Sequence, residues 1–246
     1  MHPILLKFGP ITLYSYGLMV ALGFLSAVGL ALRQALRIGL DPDRLQKWCV
    51  LVFLGGLVGA RAAYVLLYWE LFRSNPVEIF RFDHGGLVFY GGLGAGLLAG
   101  FGGFRWLQLP VWVTIDLMTP PLVLAHAIGR IGCFLNGCCY GKPTELPWGV
   151  RFPSDELTRH PTQLYEMAAL LVFFFLLKAV ERRSVKPGTV ILSYGLLYGV
   201  WRFSIEFLRG DNPPGPGGLT VFQWISLPLA AISGLLLLRL NLRKSP

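Results

Sequence analysis

The sequence predicts an all-α integral membrane protein of seven transmembrane helices. Its N-terminus is expected outside, its C-terminus in the cytoplasm, and a small extracytoplasmic cap on the outer side. Three observations predict this. Of 246 residues, 54% are hydrophobic and only 14% charged, against about 25% charged in a soluble domain. Apolar runs close to the roughly 20 residues that cross a bilayer recur along the whole length. Basic residues gather at alternate ends of those runs. One polytopic membrane domain, 1–246, follows, with the longest outer loop, about 136–163, as the cap.

The first span, about 14–32, carries Tyr14-Ser15-Tyr16-Gly17 at its outer end. Met1-His2-Pro3 lacks a basic stretch and the span runs into a basic loop, so it reads as a retained helix rather than a cleaved leader. The second, about 48–68, holds Arg61 at mid-depth, read as a structural charge or a lipid contact. The third, about 85–104, is crowded with Gly85, Gly86, Gly91, Gly92, Gly94, Gly96 and Gly100. That density suits close helix packing or a broken, re-entrant segment. The fourth, about 112–135, ends in His126, Arg130 and Cys133, whose spacings of four and three put them on one face. Asn136 follows, where Gly137 unwinds the helix.

The fifth span, about 164–180, opens with Arg159-His160-Pro161-Thr162-Gln163-Leu164-Tyr165-Glu166. Pro161 fits a helix start, and Glu166 lies near the positive end of the helix dipole. Glu166 is equally a feature of that helix start or a catalytic group. In the sixth, about 188–207, Tyr194, Tyr198, Arg202 and Glu206 recur every four residues as a polar stripe. Arg202 and Glu206 are either an ion pair locking the bundle or functional charges; charges at membrane depth favour the latter. The seventh covers about 219–240. Trp48, Trp69, Trp106, Trp112 and Trp224 fall near expected ends, as interfacial aromatics do.

Arg33, Arg37, Arg44, Lys47, Arg105, Lys178, Arg182, Arg183, Lys186, Arg239, Arg243 and Lys244 fall on one side. Lys7, Arg73, Arg81, Lys142, Arg151, Arg159 and Arg209 fall on the other, over longer loops. The side richer in lysine and arginine faces the cytoplasm. The net charge of +9 is thus mostly a topology signal. It excludes nucleic acid as a partner, because no soluble module presents a basic face. Cys133, Cys138 and Cys139 lie near the outer face, where a disulfide is permitted. Their C-x4-C-C spacing matches no zinc-site pattern and no nearby histidine completes one, so they read as packing residues rather than metal ligands.

Two arginines, Arg130 and Arg202, facing one outer cavity from different helices suit an anionic ligand, since guanidinium forks match phosphate geometry. In a membrane the phosphate carrier is a phospholipid head group.

Gly129-Arg130-Ile131-Gly132-Cys133-Phe134-Leu135-Asn136-Gly137-Cys138-Cys139-Tyr140-Gly141 resembles the signature G-R-x-G-N-F-x-N-G-E-x-x-G of the bacterial prolipoprotein diacylglyceryl transferases. Tyr16-Gly17-Leu18-Met19, the Arg159–Glu166 segment and Tyr198-Gly199-Val200-Trp201-Arg202-Phe203-Ser204-Ile205-Glu206-Phe207 are similar to further family segments, in the right order over essentially the whole chain. The resemblance implies an enzyme of the bacterial cytoplasmic (inner) membrane. It would move the diacylglyceryl group of phosphatidylglycerol onto the lipobox cysteine thiol of a pre-lipoprotein, forming a thioether and releasing glycerol phosphate. No cofactor and no metal are implied, and the chain is expected to act as a monomer among membrane lipids.

On this resemblance Arg130 holds the head group, with Tyr16, Asn136, Tyr198 and Gly141 as further substrate contacts. Arg202, held by Glu206, stabilises the leaving phosphate. The chain departs from the family at Cys133 and Cys138, and has Tyr90-Gly91-Gly92 where the family has His-Gly-Gly. Tyrosine titrates near pH 10 and histidine near 6.5, so a base other than Tyr90 is needed at neutral pH. His126 is that base or an interior histidine bonded to a backbone carbonyl. Tyr90 is its hydrogen-bond partner or a lipid contact, and His84 and His160 are weaker candidates. The alternative reading is a phospholipid-binding transporter or non-catalytic lipid-handling protein, which buried arginines also suit.

Overall fold

In the computed structural model, residues 1–8, 11–81, 85–153, 156–183 and 186–242 are described. His84, Ser184, Arg243 and Lys244 lie outside them. The elements run β1 (Ile4–Phe8), β2 (Ile11–Tyr14), α1 (Ser15–Ile38), α2 (Pro42–Leu67), α3 (Trp69–Phe72) and a 3-10 turn at Pro76–Phe80. Then come α4 (Phe89–Trp106), α5 (Val111–Asn136), β3 (Val150–Arg151), β4 (Thr158–Arg159), α6 (Thr162–Glu181), α7 (Thr189–Ile205), a turn at Pro216–Gly218 and α8 (Val221–Leu242).

The seven long helices fall on the seven expected runs. Five of them, α1, α2, α5, α6 and α8, are long and apolar enough to cross a membrane, and α7 is a shorter apolar helix. Two short antiparallel hairpins accompany the helices. β1 pairs with β2, with Lys7 opposite Thr12, and β3 pairs with β4, with Val150 opposite Arg159. Strands this short leave no trace in a search for span-length runs. α1 also extends beyond the expected end, so Arg33 and Arg37 lie in its last turns. α2 begins earlier than expected because Asp41 caps it, accepting from the Asp43 and Arg44 amides, with Pro42 in the first turn.

The chain divides into two compact units, Leu32–Thr114 and the remainder, Met1–Ala31 with Ile115–Pro246. In the first, α2 and α4 pack at backbone distance. A β-carbon on Gly59 would lie 2.1 Å from Ala95 Cβ and 2.6 Å from the Gly91 carbonyl oxygen, and one on Gly91 would lie 2.3 Å from Ala63 Cβ. In lipid no hydrophobic force joins two apolar helices, so small residues that let backbones approach supply the association. Gly91, Gly92, Gly96, Gly100 and Gly103 therefore serve close packing within one continuous helix, whereas Gly94 meets nothing within 4 Å. Trp48 belongs to the same contact: only 9% exposed, it donates to the Gly100 carbonyl at 2.9 Å and stacks on Phe104. That corrects its expected role as an interfacial aromatic; an indole N–H that finds an acceptor on the next helix is satisfied inside.

Arg61 finds its partners here too. Its guanidinium donates to the carbonyls of Glu78, Ile79, Gly85 and Gly86, at 2.5 to 3.1 Å. It also lies over the rings of Tyr64 and Phe72. A charge so enclosed ties Glu78, Ile79, Gly85 and Gly86 to α2.

In the other unit, α5, α6 and α7 share a core of Val123, Ala127, Leu170, Phe173, Leu177 and Val190. Asp116, low on α5, accepts from the Gly188 and Ile191 amides at 2.6 and 2.9 Å. It supplies from another helix the cap that α7 lacks, satisfying donors exposed at a helix start. α7 packs on α8 through Gly195 against Ser233 and Gly199 against Ala230. α8 opens with a reciprocal cap: Gln223 N–H donates to Thr220 Oγ1, and Thr220 N–H donates to Gln223 Oε1.

Gly59→Ala is expected to lower unfolding stability in detergent by about 1–3 kcal/mol through overpacking. Gly94→Ala, whose added methyl meets nothing within 4 Å, should leave stability equal or slightly raised. Equal unfolding temperatures for the two variants would contradict the backbone-distance packing.

Candidate functional site

The polar residues of α5, α6 and α7 converge on one carboxylate, Glu166, which is 1% exposed at its side chain. Its position one turn into α6 follows from Pro161 and Thr162, where the helix begins. Arg130 of α5 donates to Glu166 Oε1 at 2.8 Å, and Tyr198 of α7 donates to the same oxygen at 3.2 Å. His126 Nε2 lies 3.6 Å from it, and the His126 ring meets Tyr198 edge-on. The four-residue spacing of His126 and Arg130 thus places both on the face turned toward α6. Tyr194, one turn before Tyr198, stacks on it.

A second carboxylate, Glu206, gathers the other half. It accepts from Asn212 at 2.6 Å and from the Thr220 hydroxyl at 2.8 Å, so the cap of α8 also anchors this side chain. Arg202 Nη1 lies 2.9 Å from Glu206 Oε2, and its guanidinium covers the Phe222 ring. Arg209 links the halves. Its nitrogens lie 3.9 Å from Glu166 and 4.0 Å from Glu206, and it donates twice to Asp211.

Each arginine of the cluster therefore has a carboxylate nearby, as charges removed from water require. The pairing is incomplete in one respect. Among the described residues, the buried Arg130 Nε and Arg202 Nη1 have no hydrogen-bond acceptor, and neither do Glu166 Oε2 and Glu206 Oε2 a donor. The short Arg202–Glu206 approach is too poorly aligned to hydrogen-bond. Two guanidinium donors thus remain available to an anion in a low-dielectric site, where such bonds are strongest.

The other sequence candidates fall elsewhere. Tyr16 starts α1 with its ring against Gly132 of α5. Asn136 ends α5, is exposed, and hydrogen-bonds Cys138. Gly141 has no room for a side chain: a β-carbon would lie 2.6 Å from the Leu208 carbonyl oxygen and 2.7 Å from His160 Cβ. Its amide donates to the His160 carbonyl, and it bridges to Arg209. Tyr90 belongs to the Leu32–Thr114 unit, 65% exposed and edge-on to Phe89. His160 Nδ1 lies 3.3 Å from the Tyr165 hydroxyl, itself bonded by Trp148.

Sequence reasoning left Glu166 undecided and missed Asp211, Asn212, Thr220 and Gln223. A carboxylate inside an apolar run was signal enough for Glu166, and the T-x-x-Q pattern before 221 marks the cap. Beyond α5, the Cys138 thiol is held below its ordinary range by hydrogen bonds from Cys133, Cys139 and Asn136.

The family model for prolipoprotein diacylglyceryl transferase matches residues 3–239. A phosphatidylglycerol–prolipoprotein diacylglyceryl transferase of Clostridium tetani is 35% identical over 232 residues, covering 92% of this chain and 93% of that protein. One of Mannheimia succiniciproducens is 37% identical over 230 residues, 92% and 85% of the two chains. One of a Nostoc species is 33% identical over 258 residues, 99% and 91%.

Proposed function

The chain belongs to the prolipoprotein diacylglyceryl transferase family, and from that membership we propose how its own residues carry the reaction. It is a multi-pass membrane enzyme of lipoprotein biosynthesis that transfers the diacylglyceryl group of phosphatidylglycerol to a prolipoprotein. The acceptor is the thiol of the lipobox cysteine. Its sulfur bonds to the glyceryl carbon, the bond from that carbon to the phosphate oxygen breaks, and glycerol phosphate departs with the electron pair. The thiol proton must go to a base.

The observation that carries the assignment of roles is the convergence of Arg130, Tyr198 and His126 on Glu166, with guanidinium donors of Arg130 and Arg202 left over. Arg130, its fork oriented by Glu166, binds the head-group phosphate through its free Nε. Arg202, held between Glu206 and the Phe222 ring, stabilises charge on the leaving phosphate oxygen. His126 accepts the thiol proton. The imidazolium so formed faces Glu166, which favours its charge, while Tyr198 fixes the carboxylate. A thiol is mostly protonated at neutral pH, so this transfer contributes to the rate. Tyr16 contacts the glycerol and Tyr90 contacts lipid. Asn136 and Gly141 act on substrate only through the backbone path they hold between α5 and α6.

The experiment uses the purified protein with labelled phosphatidylglycerol and a lipobox peptide, scored for thioether product. Arg130→Lys keeps the charge but not the fork, and is expected to lose most turnover. His126→Gln is expected to lose about 10²-fold or more and to flatten the pH profile around neutrality. Normal turnover in Arg130→Lys at normal protein levels would reduce Arg130 to a structural charge. Wild-type turnover of His126→Gln across the pH range would send the proton elsewhere.

The enzyme sits in the bacterial inner membrane with seven spans. Its N-terminus and the 136–163 cap lie outside, in keeping with the twelve-to-seven basic asymmetry of its loops. It acts as a monomer. A single reporter cysteine in place of Arg182 should resist impermeant thiol reagents in intact cells and react after lysis; labelling from outside would invert this topology.

A further inference from the structure

Residues 137–140 take no part in the transfer chemistry, yet their backbone is tightly specified. Gly137 and Cys139 both have positive φ, 74° and 65°. For cysteine that conformation is unfavourable. The two reversals fold the chain back on α5, and the Cys138 amide donates to the Cys133 carbonyl at 3.2 Å. Two buried α6 side chains pin the fold-back. Gln163 Nε2 donates to the Cys138 carbonyl at 2.6 Å and Thr162 Oγ1 to the Cys139 carbonyl at 2.9 Å. The result is three free, half-buried thiols whose sulfurs all lie within 4.8 Å of one another. Cys138 and Cys139 Sγ are 3.5 Å apart.

That triangle has the dimensions of a thiolate metal site. Sulfurs placed about 2.3 Å from a common ion stand about 3.8–4.0 Å from one another, depending on whether the ion is tetrahedral or trigonal. Movements of at most about 1 Å, within the reach of χ1 rotation, bring the three sulfurs to that spacing. The surroundings suit an anionic complex: Arg130 precedes Cys133 by one turn on the same face, and Arg209 interacts with Cys139 by charge. The ligand set selects the metal. Three thiolates with no hard oxygen ligand favour soft d10 ions over magnesium, calcium or manganese.

We propose that Cys133, Cys138 and Cys139 form a three-thiolate site for a thiophilic d10 cation, Zn2+ or Cu+, which staples the 136–141 loop to the end of α5. Binding forms three metal–sulfur bonds and releases the thiol protons to solvent. Cu+ would be complete with three sulfurs, whereas Zn2+ would take a fourth ligand from solvent. The C-x4-C-C spacing hides the site, because the sulfurs meet only through the left-handed turn at Cys139. The site goes beyond the transfer reaction and is read by metal content, so it stands or falls separately from the catalytic roles above.

The test takes the full chain in detergent, reduced and stripped with chelator, and titrates Co2+ as a spectroscopic probe. One Co2+ per chain should bind with an intense near-ultraviolet sulfur-to-cobalt band. One equivalent of Zn2+ or Cu+ should abolish that band, and competition against a Cu+-specific chelator tells which ion is held more tightly. Cys133→Ser and Cys139→Ser, made separately so that one folding failure does not decide the matter, should each lose the band, whereas Cys49→Ser keeps it. The unfolding temperature should rise with metal in the parent chain and in Cys49→Ser, and not in Cys133→Ser or Cys139→Ser. Absence of the band, its survival in either serine variant, or its displacement by Mg2+ at equal concentration overturns the proposal.

Discussion

A carboxylate that has left water must be surrounded by donors or give up its charge. Glu166 meets that requirement with groups from two other helices and from the segment after α7, namely Arg130, Tyr198 and the more distant Arg209. The consequence is geometric. α5 and α7 are held in register with α6 at the level of these side chains, and the core of Val123, Ala127, Leu170 and Phe173 fills the space around that junction. Removing the carboxylate would leave Arg130 buried without its charge partner, so the same contact orders both the bundle and the guanidinium proposed to bind phosphate.

The remaining architecture serves that junction in steps. Asp116 fixes the start of α7, the Thr220–Gln223 cap fixes the start of α8, and Thr220 then reaches Glu206. A helix cap and a site residue thus share one hydroxyl. The arginines differ in how far they are satisfied. Arg61 spends its donors on four backbone carbonyls, while Arg130 and Arg202 keep donors without acceptors. That difference in donor satisfaction follows from geometry rather than residue type.

Much of this was legible in the sequence. The seven apolar runs coincide with long helices among the described residues, and five of these are long and apolar enough to cross a bilayer, which admits few backbone solutions. The i, i+4 spacing of His126 with Arg130, and of Tyr198 with Arg202 and Glu206, gave the inward faces directly. What could not be read depends on backbone that no period describes. Arg61 pairs with carbonyls of an irregular segment, and Trp48 looked interfacial because only the partner helix supplies the Gly100 oxygen. Glu166 stayed undecided between a helix-start residue and a catalytic group because its partners lie 36 and 32 positions away in sequence. The β1–β2 hairpin was too short to register, and the three sulfurs meet only through positive φ at Cys139.

The central claim is that Glu166 acts on the reaction through Arg130. A double-mutant cycle with Arg130→Lys and Glu166→Gln, read as kcat/KM for thioether formation, tests it most directly. If the carboxylate orients the fork, the double variant is scarcely worse than Arg130→Lys alone, and the coupling energy is about 1–3 kcal/mol. Losses that simply add, within about 0.5 kcal/mol, would mean the two residues act independently and would contradict the account.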